Sequence, residues 1–382
     1  MYFSFKTIPE DFLVNEILDF DLDWVWDYLY ILFEKKQLNT MEIINLICKN
    51  FNIKRNNLWI AWLKDKDWIT QQWISVSKKH LKQCWWQDKF LSYLNTFTKT
   101  IRIWWHSLPL SVWKNKWNHF TIRLRKRKAL PDDLKILLEE NIRNLSLSWF
   151  PNIFWYQRFW KWNKNFKKVL KIFSWEEKIQ DNSYEQKFKF QTFWSLWFNE
   201  YVMRRWDNKD IILDWDIMVN WWNAFWTDIA IFMDNKLFHF NYWKEKENID
   251  WTPVREPSNN LWESDYNSSK WIPTWPVLWI EQLLCKQTTP WRKYDEDILK
   301  ESKFLEWWYK ILKQFKIYWY RRPLWILPQD LQWERGNWDL ILNFFLPTWC
   351  YASTYLTFLL KDIDPAWCES NNLKILRIEQ EL

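Results

Sequence analysis

A chain of 382 residues with a single glycine and 39 tryptophans has almost none of the residue that carries a backbone through positive φ without steric penalty. Ordinary usage would put glycine at about 7%, roughly 27 residues at this length. The tryptophans stand where turn chemistry wants no side chain, in Asp67-Trp68, Lys116-Trp117-Asn118, Pro273-Thr274-Trp275-Pro276 and Pro347-Thr348-Trp349. They also recur in pairs at Trp85-Trp86, Trp104-Trp105, Trp221-Trp222 and Trp307-Trp308. One indole buries about 150–250 Å², and 39 of them beside Lys, Asn, Asp and Pro exceed what a core can take. We read most of the printed tryptophans as glycines, from a gene in which UGA encodes glycine. Trp197 in SLWFNEY and Trp333 in DLQWE sit among apolar neighbours and are the best candidates for genuine tryptophan. The other reading, a stacking surface for single-stranded nucleic acid, calls for clustered aromatics, whereas these are spread evenly.

The length suffices for two domains, and no Ser/Pro-rich linker, long charge block or repeat interrupts it. Cys48, Cys84, Cys285, Cys350 and Cys368 lie far apart, with no CxxC pair and no histidine at ligand spacing. Neither a metal site nor a disulfide framework is indicated, and a reducing compartment follows. Lys6, Glu10, Asp11 and Glu16 charge the first turns, and no later apolar run approaches the roughly 18 residues of a membrane span. The expectation is a soluble cytoplasmic protein with no membrane partner. The net charge of +7 is modest but locally dense, in Arg123, Arg125, Lys126, Arg127 and Lys128 and again in Lys161, Lys164, Lys167, Lys168 and Lys171. Such runs suit phosphate and equally suit the solvated faces of ordinary elements.

Along the chain, residues 5–33 read as strands with a turn at 23–27. Thr40 then caps a helix that carries Ile43, Ile44, Ile47, Cys48 and Phe51 on one face. A short apolar run, 58–63, and an alternating one, 69–77, make a hairpin-like unit around the charged tip Lys64-Asp65-Lys66-Asp67. With Trp68 read as glycine, Asp-Gly is a strong hairpin signal there. Alternation at 101–103 and 119–124 adds antiparallel sheet, and 131–145 reads as a helix opened by Pro131. One α+β layer accounts for 1–150. From 151 to 326 longer helices take over, at 193–205 and 295–315, before a strand at 339–346. The middle reads as an insertion into the first domain.

The segment Ala61-Trp62-Leu63-Lys64-Asp65-Lys66-Asp67 sets carboxylates among lysines at a strand end. Neighbouring cations favour the ionised carboxylate, which is the form a nucleophile needs. Alone, the same tip fits a solvated turn.

With Trp62 and Trp68 as glycine the segment reads AGLKDKDGITQQ and resembles the TruD family of tRNA pseudouridine synthases, whose signature is Gly-x-Lys-Asp followed by Thr-x-Gln. Lys6 with the run 9–16, PEDFLVNE, resembles the family's opening PEDFxVxE strand. Residues 116–120 resemble its KGNxF and 151–160 its PNYFGxQRFG. Pro273-Thr274-Trp275-Pro276, Arg321-Arg322-Pro323-Leu324 and 346–354 match later blocks in order, so the likeness runs through nearly the whole chain.

The resemblance implies an α+β fold of pseudouridine synthase type: a mixed, mostly antiparallel sheet flanked by helices, with a large α+β insertion. Residues 1–150 and 327–382 would form the catalytic domain and 151–326 the TRUD-type insertion. It implies an isomerase that detaches uracil from its ribose, turns it and rejoins it through carbon, with no cofactor and no metal. Asp65 matches the catalytic aspartate. Lys6 matches a basic residue near it, Phe12, Phe120 and Tyr351 match pocket residues, and Asn118 matches an amide able to read a uracil edge. Tyr351 departs from the family's phenylalanine by a hydroxyl. The implied substrate is uridine at position 13 of certain tRNAs, flipped from its stack to meet Asp65, while basic segments position phosphates. A non-catalytic RNA-binding protein on the same fold, or a pseudouridine synthase for another RNA, are the competing functions.

Overall fold

The computed structural model describes residues 1–18, 21–61, 64, 66–83, 86–111, 115–155, 164–173, 176–177, 184–206, 217–220, 229–233, 236–240, 271–276, 321–336, 339–348 and 350–370. They fall into two compact units, one of residues 1–135 with 328–349 and one of 136–327 with 350–382.

The first unit is built on one nine-stranded sheet. Its N-terminal strands are β1 (Phe3–Phe5), β2 (Phe12–Leu18), β3 (Tyr28–Lys35), β4 (Leu58–Ile60), β5 (Ile69–Ser77), β6 (Lys99–His106) and β7 (Asn115–Lys126). A C-terminal hairpin, Gln329–Arg335 with Asp339–Pro347, completes it on the far side of β7. From that hairpin inward the order is β7, β2, β5, β3, β6, with β1 on β7 and β4 on β5. Every pairing is antiparallel except β2 on β5. The expected hairpin-like unit is therefore β4 and β5, in the register Leu58↔Val76 and Ile60↔Ile74.

Period-2 alternation sets which face each strand buries. On β7, Asn118, Phe120, Ile122 and Leu124 are buried, and Phe12, Val14 and Glu16 lie beside them on β2. Helix α1 (Thr40–Phe51) lays Ile43, Ile44, Ile47 and Phe51 against Leu29, Ile31, Phe33, Ile74 and Val76, joined by Phe90 and Leu94 of α2 (Trp86–Leu94). Each such buried side chain contributes about 1.5–3 kcal/mol. The cap of α1 is Asn39 rather than Thr40: Asn39 Oδ1 accepts from Met41 N at 2.8 Å, and Asn39 N donates to Glu42 Oε2 at 3.1 Å. Thr40 is helical, and its hydroxyl is used elsewhere.

In the second unit the helix Tyr184–Trp206 buries Phe190, Phe193, Trp197 and Tyr201, and the helix Ala352–Leu360 is buried nearly all round. A five-stranded sheet runs in the order Lys236–Phe240, Ile229–Met233, Ile217–Asn220, Trp271–Pro276, Arg321–Pro323. The expected helix at 295–315 lies outside the described residues. Sheet and helices together make the chain α+β, mostly antiparallel, as the sequence predicts.

Candidate active site

The sheet face shared by β2 and β7 changes character along its length. At one end it is aromatic: Phe12 and Phe120 meet edge to face at 6.0 Å between centroids, and Phe120 stacks on Phe344 at 5.7 Å. Two residues from Val14 on β2 and from Phe120 on β7 the same face becomes polar, because the alternation that buries Phe12 and Val14 also buries Glu16, directly opposite Asn118.

Glu16 is sealed in this face, its side chain wholly inaccessible. Oε2 accepts from Trp73 N at 2.9 Å, and Oε1 faces Lys64 Nζ at 3.2 Å. Burial pushes the Glu16 carboxyl above its ordinary value, against the pull of Lys64 and, less strongly, Lys35. Lys64 Nζ also donates to Asn118 Oδ1 at 2.6 Å. The same oxygen accepts from Asn115 Nδ2 at 3.3 Å, and the Thr348 hydroxyl lies within donating distance of both the main-chain and side-chain oxygens of Asn115, at 2.6 and 2.7 Å. The Lys64 backbone is held as well, its N–H donating to Thr40 Oγ1 at 3.2 Å while Thr40 Oγ1 donates to Gln72 Oε1 at 2.9 Å. That contact is the work of the Thr40 hydroxyl.

Lys6 enters from the turn before β2, where its φ is 55°. Its Nζ sits 4.4 Å from the Phe12 ring centroid, 5.0 Å from Phe5 and 4.2 Å from Trp68, so it meets the aromatic end of the face through cation–π contacts. With glycine at 68 the two phenylalanine contacts would remain. The turn is fixed by Asp11, which accepts from Thr7 N at 3.1 Å and Ile8 N at 3.2 Å and is clamped by Arg125, with Nη2 to Oδ1 at 2.8 Å. Arg125 belongs to the basic run that sequence alone leaves open between phosphate and structure; here it serves structure.

The structure thus brings Lys6, Phe12, Asn118 and Phe120 onto one face of the first unit. Asp65 lies outside the described residues, directly after Lys64 in the chain. Asp67 is exposed. Tyr351 belongs to the second unit, 6.3 Å from Phe154 and 5.8 Å from the Arg322 guanidinium. Lys64 and Glu16 were not singled out from sequence. The readable signal was Glu16 itself, a carboxylate at the third inward position of a strand whose other two are apolar. Among the described residues no group of three or more His, Cys, Asp or Glu could hold a metal ion, and no helix is long and apolar enough to cross a membrane.

Residues 2–172 match the family described as tRNA pseudouridine synthase D (TruD). Among similar curated proteins, the tRNA pseudouridine synthase D of Campylobacter jejuni subsp. jejuni serotype O:23/36 (strain 81-176) is 32% identical over 208 residues, covering 53% of this chain and 51% of that protein. That of Sulfurimonas denitrificans is 28% identical over 215 residues, 56% of this chain and 57% of that one. The protein named probable tRNA pseudouridine synthase D 1 in Methanococcus maripaludis is 31% identical over 218 residues, 56% and 52%. The chain spans little more than half the length of these relatives. A crystal structure of a TruD-named protein from Methanosarcina mazei superposes with a TM-score of 0.57 at 15% identity, over 94% of each chain, a likeness of fold.

Proposed function

We propose that the chain, whose residues 2–172 match the tRNA pseudouridine synthase D (TruD) family, belongs to that family and isomerises uridine to pseudouridine in tRNA. In that reaction the N1–C1′ bond breaks and a C5–C1′ bond forms, while the proton lost from C5 is matched by one held on N1. Atoms balance without a cofactor. Asp65 supplies the nucleophilic carboxylate, and the family's uridine at position 13 is the target. The base leaves its stack to reach the enzyme, and phosphate contacts supply most of the affinity.

The observation that carries this reading is the half-aromatic, half-polar face of β2 and β7, with Lys64, the residue next to Asp65, anchored in its polar half. A flat base needs apolar rings to lie on and a few fixed polar groups to orient it; Phe12 and Phe120 offer the first and Asn118 the second. Lys6 completes the proposed face, Tyr351 is proposed as a substrate-binding residue on the family motif alone, and residues 1–150 with 327–382 are proposed as the catalytic domain, with 151–326 as its insertion. The test is pseudouridine formation on an unmodified tRNA transcript. Asp65→Asn, nearly isosteric but without an anion to donate, should abolish it while tRNA binding persists, and Asp67→Asn should keep substantial activity. Activity retained in both variants would place the nucleophile elsewhere.

A further inference from the structure

Asn118 can face a ligand with either of two chemistries, since its amide carries an acceptor at one end and donors at the other. Its surroundings remove the choice. An ammonium group only donates, so the atom 2.6 Å from Lys64 Nζ has to be the oxygen. That oxygen also accepts from Asn115 Nδ2 at 3.3 Å, with the Thr348 hydroxyl packed against the main-chain and side-chain oxygens of Asn115. Lys64 is in turn kept in place by the buried Glu16 carboxylate and by Thr40. Among the described residues Asn118 Nδ2 meets no acceptor, and it is not one of the unpartnered side-chain atoms sealed from solvent. The amide therefore shows its donor end outward.

We propose that Lys64 is a specificity-positioning residue, which pins the Asn118 amide so that the pocket presents an N–H donor and accepts a base with a carbonyl at that edge. Uracil has such a carbonyl at C2 and C4. Cytosine shows an amino group at C4, which would set donor against donor. The inference rests on the proposed function for its substrate, and on the Glu16–Lys64–Asn118 geometry for the direction of the amide.

The experiment compares single-turnover rates on tRNA transcripts carrying uridine, 2-thiouridine or 4-thiouridine at the converted position, since sulfur is a weaker acceptor than oxygen. For the unaltered chain, the 4-thiouridine transcript should react roughly tenfold more slowly, the worth of one neutral hydrogen bond, whereas a penalty confined to 2-thiouridine would put the donor at a carbonyl that cytosine shares and overturn the inference. In Asn118→Ala that penalty should shrink to within roughly twofold, the scatter of independent effects. Lys64→Met alone strands the buried Glu16 carboxylate and can fail to fold, so the deciding variant is Lys64→Met with Glu16→Leu, which removes both charges. Checked for folding by its circular dichroism melt, it should keep KM for tRNA but lose kcat, and its thio penalty should collapse as in Asn118→Ala. A double variant that keeps the full penalty would overturn the inference while leaving the proposed function intact. A penalty kept by Asn118→Ala, or absent from the unaltered chain, would overturn it too. No pseudouridine from any uridine transcript would instead sink the proposed function and the uracil reading with it.

Discussion

Six residues other than glycine hold positive φ among the described ones, and two of them are tryptophans, Trp24 at 60° and Trp86 at 78°. For a bulky side chain that is a steric outlier, costing about 1–2 kcal/mol, and both side chains are more than half exposed. Trp24 recovers part of this by lying 4.2 Å from Trp104, a contact worth about 0.5–1.5 kcal/mol. Among the described residues Trp86 stacks on no other ring, which makes it the cleaner site. In a chain carrying the printed tryptophans, Trp86→Gly should raise stability by about 1 kcal/mol, read as a higher urea midpoint; a lower midpoint would argue against glycine there. In the source cell, the glycine reading predicts an intact mass well below that of the printed sequence.

At the level of elements, two carboxylates buried in strand or turn carry opposite expectations. Asp11 closes the turn before β2 and is clamped by Arg125, whose side chain keeps 36% of its surface in solvent, so Asp11→Ala frees two backbone donors while the guanidinium can rehydrate. A loss of about 1–3 kcal/mol is expected for donors left without their acceptor, together with reduced activity as the turn that carries Lys6 loosens. Glu16, by contrast, has its pKa raised by burial, so the folded chain holds that proton more tightly than the unfolded one. Stability linked to it is full at low pH and falls as pH rises from the ordinary value of 4.5 towards the folded pKa. Lys64→Met should steepen that fall by removing the main opposing charge, and a urea titration across pH 4 to 8 would show it as a larger loss than in the unaltered chain, on the order of one carboxylate's linkage. At the start of α1, Asn39→Ala should cost about 1 kcal/mol, measurable in the same titration.

On the scale of the whole chain, the first unit depends on strands that arrive last. The C-terminal hairpin pairs along β7 from Asp339↔Arg125 to Pro347↔Trp117, and Thr121 bonds Asn343 across 222 residues of sequence. It also brings Phe344 under Phe120 and Thr348 onto Asn115. A chain cut after residue 327 would leave β7 as a long unpaired edge with its apolar face uncovered, an aggregation template. Such a truncation should form aggregates in size-exclusion chromatography; a monomeric, active 1–327 would contradict this account. Pairing over such separations closes loops at high entropic cost before contacts repay it, so slow folding is expected.

What the sequence determined by itself was local and periodic. The apolar stripe of α1 placed Ile43, Ile44 and Ile47 in the core, the alternation from 119 to 124 drew β7, and the charged tip after β4 marked the segment of Asp65. The ordered motifs added the resemblance to the TruD family. Capping went to Asn39 instead of Thr40 because the Thr40 hydroxyl had a stronger use against Lys64 and Gln72, a partner no local pattern contains. The polar cluster was hidden for the same reason. Period 2 says that Glu16 and Asn118 point inward on their strands, but only the β2–β7 register sets them opposite each other, and only tertiary packing brings Lys64, 54 residues from Asn118, between them. A side chain's face is written in its neighbours along the chain; its hydrogen-bond partner is chosen by strands that meet only once the sheet has closed.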